Sequence, residues 1–139
     1  MKEMRLLAVL CAAGLTAAAA SGASTIPVRA TLTTSSTRPV VGTPWRYTVV
    51  VKDRSGTSLA ARMRLQILLG TTVVRCWKRT RMTPCSGPSQ GTWISFTGKR
   101  TGVIRWPAQS AGVRLTFRAI VVAGTRSLRL RAPVTVQLP

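Results

Sequence analysis

Val113-Arg114-Leu115-Thr116-Phe117-Arg118-Ala119-Ile120-Val121-Val122 reads as a single strand, and after Gly124 the pattern resumes as Leu128-Arg129-Leu130-Arg131-Ala132-Pro133-Val134-Thr135-Val136-Gln137-Leu138. Val113, Leu115, Phe117, Ala119 and Val121 fall on one side, and Arg114, Thr116, Arg118, Ile120 and Val122 on the other. A period of two is the mark of a half-buried β-strand, because successive side chains leave opposite faces of the backbone. Two such runs around a glycine predict an antiparallel pair. Pro133 lacks the amide proton a central strand must donate, so the second run belongs at a sheet edge or carries a bulge.

The same period extends upstream. Trp45, Tyr47, Val49 and Val51 alternate with Arg46, Thr48, Val50 and Lys52. Met63, Leu65, Ile67 and Leu69 alternate with Arg62, Arg64, Gln66 and Leu68, and Val28, Ala30 and Leu32 with Arg29, Thr31 and Thr33. Thr71 to Trp77 can return from Gly70. Thr92 to Thr97 and Gly102 to Trp106 form two shorter strands, and 78–91 reads as a long irregular loop. Asp53-Arg54-Ser55-Gly56 suits a type I turn. Seven to eight short antiparallel strands with frequent turns and no helical period predict an all-β, two-sheet β-sandwich. A small barrel would use fewer strands and usually a helix.

Residues 1–23 predict a different fate. A basic start (Lys2, Arg5) precedes the apolar run Leu6 to Ala20 and the small residues Ser21-Gly22-Ala23. This is the pattern of a secretory signal peptide, with cleavage expected after Ala23 or, alternatively, after Ala20. Residues 24–139 then form one domain, secreted or associated with the cell envelope, with no transmembrane segment.

The chain holds 21 lysines and arginines, two acids and no histidine, for a formal charge of +19. Glu3 lies in the signal, so Asp53 is the one acidic side chain of the domain. Its arginines cannot be paired internally. Codon bias accounts for arginine over lysine, but not for the missing acids. Small counterions or an external polyanion must balance the charge.

These counts exclude most chemistry. Without histidine or a second carboxylate there is no carboxylate pair for glycoside hydrolysis and no imidazole to activate a serine or cysteine, which leaves only Lys52, Lys78 or Lys99 as a formal base. There is no ligand set for a metal. The expectation is a non-enzymatic protein with no cofactor. Cys76 and Cys85, close in sequence in an exported chain, are expected to form a disulfide across the basic stretch Lys78, Arg79 and Arg81.

Val41-Gly42-Thr43-Pro44 leading into the strand at Trp45, followed by Asp53-Arg54-Ser55-Gly56-Thr57-Ser58-Leu59, resembles a bacterial immunoglobulin-like domain. The resemblance implies an immunoglobulin-like sandwich and an adhesive, spacing or carbohydrate-binding role. It transfers no functional residue, and the chain lacks the acidic clusters of calcium-binding members. In such a topology the strands carrying Arg62 and Arg64, Arg114 and Arg118, and Arg129 and Arg131 are neighbours in one sheet. Their outward sides then form a guanidinium-studded face suited to phosphate, sulfate or carboxylate.

The expected ligand is an anionic envelope polymer or lipid head group, held by Arg62, Arg64, Lys78, Arg79, Arg81, Arg114, Arg118, Arg129 and Arg131. Trp77 and Trp93, flanking the stapled loop, are candidate aromatic platforms, whereas Trp45 and Trp106 read as core. The alternative is a secreted structural or protein-interaction accessory domain whose charge is incidental and whose partner is another exported protein. Nucleic acid fits the charge but not the export signal.

Overall fold

Burial follows the alternation closely. In β2 (Pro44–Asp53) Trp45, Tyr47, Val49 and Val51 are buried, and in β8 (Arg114–Ala123) Leu115, Phe117, Ala119, Val121 and Ala123 are. The computed structural model describes residues 27–85 and 91–139; the expected signal peptide lies outside the described residues. The remaining strands are β1 (Val28–Thr34), β3 (Ala60–Leu69), β4 (Thr72–Lys78), β5 (Arg81–Pro84), β6 (Ile94–Thr97), β7 (Lys99–Arg105) and β9 (Arg126–Thr135). Among the described residues the only helical element is a 3-10 turn, Ala108–Ser110.

The strands form two antiparallel sheets, β1-β2-β7 and β5-β4-β3-β8-β9, with β6 pairing the first half of β3. Their inner faces meet in one core of Trp45, Tyr47, Met63, Leu65, Ile67, Trp106, Phe117 and the valines around them. Trp45 stands edge-on to both Trp106 and Phe117, with ring centroids 5.3 and 5.1 Å away. Each large apolar side chain moved from water into this interior contributes about 1.5–3 kcal/mol. Two sheets with β3, β8 and β9 side by side make this an immunoglobulin-like β-sandwich.

Among the described residues nine strands are present where seven to eight were expected, and the surplus falls in one place. Residues 78–91 are not simply an irregular loop. Strand β4 continues to Lys78, and β5 returns beside it with Lys78 opposite Arg81 and Arg75 opposite Pro84. The two-residue turn between them, Arg79-Thr80, contains neither glycine nor asparagine, so no turn signal marked it. The two strands flanking Gly98 are not partners. Gly98 (φ +74°) donates to the Leu59 carbonyl (2.9 Å) and accepts from the Val51 amide (2.7 Å), and there the chain passes from the large sheet to the small one.

Strand β9 is an edge strand, as Pro133 requires. It ends at Thr135, short of the expected Leu138, and Gln137 bridges to Val40 in parallel instead. Asp53 holds the β2–β3 turn: its carboxylate accepts from the Ser55 hydroxyl (2.7 Å) and the Thr57 amide (2.9 Å). Those bonds, the Ser55 one first, hold its pKa below the usual aspartate value.

Candidate functional site

Register fixes which arginines share the outer face of the large sheet. Gln66 of β3 stands opposite Arg118 of β8, and Arg118 opposite Arg131 of β9. One step along the strands, Arg64 faces Ile120 and Ile120 faces Arg129. Arg62 stands opposite Val122, and Arg114 opposite Thr135 at the other end of the face. Strands lie about 4.8 Å apart and same-face residues about 6.8 Å apart along a strand. Arg64, Arg118, Arg129 and Arg131 therefore belong to one compact group. Arg114 lies two same-face steps from Arg118.

Arg118 differs from its expected role. Alternation places it on the outward side, yet it is only 8% exposed. Its Nε and Nη2 both donate to Gln66 Oε1, the Nε bond at 3.0 Å. Gln66 is itself 0% exposed and engaged further. A neutral amide oxygen thus faces a guanidinium where a carboxylate would normally sit. Burial lowers the pKa of Arg118, and the charges of Arg129 and Arg131 lower it further.

The disulfide region lies beside this row. Cys76, opposite Gln66 on the outer face and fully buried, is bonded to Cys85 with 5.4 Å between Cα atoms. Gly91 returns so near that a Cβ on it would stand 3.4 Å from Cys76 Cβ. The Thr92 amide donates to the Trp77 carbonyl (2.8 Å), and the Thr92 hydroxyl accepts from the Arg79 amide (3.4 Å). Trp93 is thereby carried onto the outer face beside β3, where the guanidinium carbons of Arg62 and Arg64 lie 4.5 and 4.1 Å from its ring centroid. Arg64 Nε is buried with no hydrogen-bond partner.

Lys78, Arg79 and Arg81 form the tip of the β4–β5 hairpin. Arg79 has φ +58°, and the Thr80 amide donates to the Lys78 carbonyl at 2.7 Å, a tight γ-turn. A non-glycine residue at positive φ costs on the order of 1 kcal/mol and needs local support. The tip lines an open cleft of ≈ 630 Å³ with Thr83 and Thr92. Trp77 lies on the opposite side of β4, half-buried against the core, where it lines a separate cleft of ≈ 280 Å³ with Arg75, Arg81 and Arg105. The two tryptophans flanking the stapled loop therefore serve different faces.

Sequence reasoning passed over Gln66 and Arg75. An uncharged residue at an outward position carries no signal of burial, and Arg75 sits in a run where apolar and polar residues do not alternate.

The outer face of the small sheet is different in character. Its central rows are Thr33-Thr48-Thr101 and Thr31-Val50-Lys99, and Arg29 pairs with Lys52 at one end. It holds cations, but none of them is buried.

No family model matches the chain, and no curated protein matches its sequence. Among solved structures it is similar to the CARDB domain of the PF1109 protein from Pyrococcus furiosus, solved in complex with di-metal ions. The identity is 16% and the TM-score 0.47, over 82% of this chain and 96% of that one. Among the described residues of this chain, no three His, Cys, Asp or Glu side chains are grouped so as to hold a metal ion.

Proposed function

We propose that this is an exported, non-catalytic immunoglobulin-like module that docks on anionic polymers of the cell envelope through the outer face of β3, β8 and β9. The observation that carries the reading is Arg118. A guanidinium taken out of water keeps its charge and must be compensated. Here its partner is a neutral amide, and its charged neighbours Arg129 and Arg131 are cations. The only acidic side chain of the described residues is engaged at the β2–β3 turn. A polyanion laid across the exposed Arg114, Arg129 and Arg131, beside the buried Arg118, supplies the missing negative charge and releases its own counterions, so affinity falls steeply with salt.

The test spares Arg118, whose loss would remove a donor from the buried Gln66 amide. Arg114, Arg129 and Arg131 are exposed and are replaced together by alanine. Retention of the variant and the parent on long-chain polyphosphate and on isolated envelopes is compared across a salt series. With about one counterion released per arginine, the slope of log affinity against log salt should flatten by about two to three units. Equal retention of a folded variant refutes the face as the docking surface. Retention of the parent that resists high salt points instead to a protein partner and the accessory-domain reading.

A further inference from the structure

We infer that Trp93 is a positioning residue, and that with Arg62 and Arg64 it forms a discrete seat for a tetrahedral dianion, a phosphate monoester or a sulfate, at one end of the arginine face. This deepens the docking reading and rests on it, because it names the group that this part of the face selects.

Like charges converge at Trp93. Arg62 and Arg64 are two residues apart on one strand, so they leave the same face of β3, and both guanidinium carbons lie within 4.5 Å of one indole centroid. Two cations brought to the same ring repel each other, and the nearest charged residues across the sheet, Arg118 and Arg129, are cations too. The negative face of the indole offsets part of the repulsion and orders both side chains. It does not neutralise either charge. The buried Arg64 Nε, with no oxygen acceptor, shows how far that guanidinium has been drawn from water.

The occupied ring also says what the seat does not take. A sugar or a nucleic-acid base stacks on a free aromatic face, and at Trp93 it would compete with two guanidinium groups for the ring. A carboxylate has one planar edge and one charge, and a single arginine fork satisfies it. A tetrahedral dianion carries two charges and enough oxygens to accept from two forks at once, which matches what Arg62 and Arg64 lack. Trp93 is in turn fixed by Thr92, which is bonded to both Trp77 and Arg79, so the seat depends on the hairpin beneath it.

Titration gives a test of unusual clarity. The charged side chains on the elements around the seat are Arg62 and Arg64 on β3, Lys78 and Arg79 on the hairpin, Arg118 on β8 and Arg129 on β9, and the chain has no histidine, the side chain whose ordinary titration falls between pH 5 and 8. Any pH dependence of small-anion binding in that window belongs to the ligand. A phosphate monoester becomes a dianion as pH rises through about 6 and inorganic phosphate about a unit higher, whereas sulfate is doubly charged throughout.

The experiment follows the Arg64 Nε–Hε and Trp93 indole resonances by NMR while inorganic phosphate, sulfate or acetate is added at constant ionic strength. Phosphate should bind saturably and several-fold more tightly at pH 7.5 than at pH 5.5. Sulfate should bind alike at both, and acetate at least about tenfold more weakly. Trp93→Ala should weaken phosphate about fivefold to tenfold by releasing both arginines. Arg64→Lys, which keeps the charge and loses the fork, should weaken it at least as much, and it answers the question if the tryptophan variant does not fold. Acetate binding as tightly as phosphate, or a folded Arg64→Lys variant that binds phosphate undiminished, overturns the seat. Polymer retention lost on Arg114, Arg129 and Arg131 replacement while small-anion binding persists supports both readings. Small-anion binding with polymer retention unaffected by that replacement sinks the docking reading alone.

Discussion

A methyl group at Gly102 would have nowhere to go. Its Cβ would overlap the Tyr47 hydroxyl and stand 2.6 Å from Tyr47 Cε1. Tyr47 is 3% exposed, and its ring packs 5.1 Å from that of Phe117, so it cannot step aside. Gly98 combines such a clash, with Ser58 Cβ at 2.6 Å, with a φ of +74° that β-carbons disfavour. Gly124 has positive φ and open space around it. Overpacking a filled core costs about 1–3 kcal/mol and a left-handed non-glycine residue about 1–2 kcal/mol. Urea unfolding should therefore rank Gly98→Ala as the most destabilising, Gly102→Ala next at about 2–3 kcal/mol, and Gly124→Ala least at about 1 kcal/mol. A Gly102→Ala protein as stable as the parent would mean Tyr47 is not held as described. None of these costs was legible beforehand, because a glycine in a strand announces close approach without naming the neighbour. The same blindness hid the burial of Arg118. Alternation gives the side of the sheet a residue leaves from, not what lies over it.

Among the elements, β2, β3, β8 and β9 were plain in the sequence because each presents one apolar face to the core over ten residues. Strand β5 escaped notice because four half-exposed residues, Arg81 to Pro84, carry no alternation strong enough to register. Pairing of β4 with β5, rather than burial, makes that strand, and the Cys76–Cys85 bond closes it. Chain-entropy reasoning gives a bond across so short a loop about 2.5–3 kcal/mol. Its loss should stay local, since β5 is the last strand of its sheet and, among the described residues, meets the core through Met82, while Thr92 is tied to Trp77 and Arg79 at the hairpin. In a Cys76→Ser, Cys85→Ser protein, amide exchange should speed up in β4, β5 and residues 91–93 while β3, β8 and β9 keep their protection. Phosphate binding at Trp93 should weaken along with it. Protection lost evenly across the large sheet would show that the staple supports the whole sandwich and not the hairpin alone.

At the level of the whole molecule, the +19 charge acts on folding as well as on binding. Compaction brings cations together, and with one acidic side chain in the described residues nothing internal relieves them, so the folded state is self-repelling at low ionic strength. Added salt should stabilise the protein by screening, in contrast to chains whose surfaces hold ion-pair lattices. From low to physiological ionic strength in sodium chloride we expect the melting temperature to rise by about 4 °C, since about 1 kcal/mol moves a domain of this size by about 4 °C. Screening alone treats all anions alike at equal ionic strength. A docking face does not: an anion that binds only the folded state adds stability in proportion to the logarithm of its concentration over its dissociation constant. Tripolyphosphate at low millimolar concentration should therefore raise the melting temperature further than chloride at matched ionic strength. The excess should shrink when Arg114, Arg129 and Arg131 are alanine, while the chloride response persists. Should both anions act equally on the parent, the charge is a diffuse field held by ordinary counterions, and its concentration around Arg118 has no binding consequence.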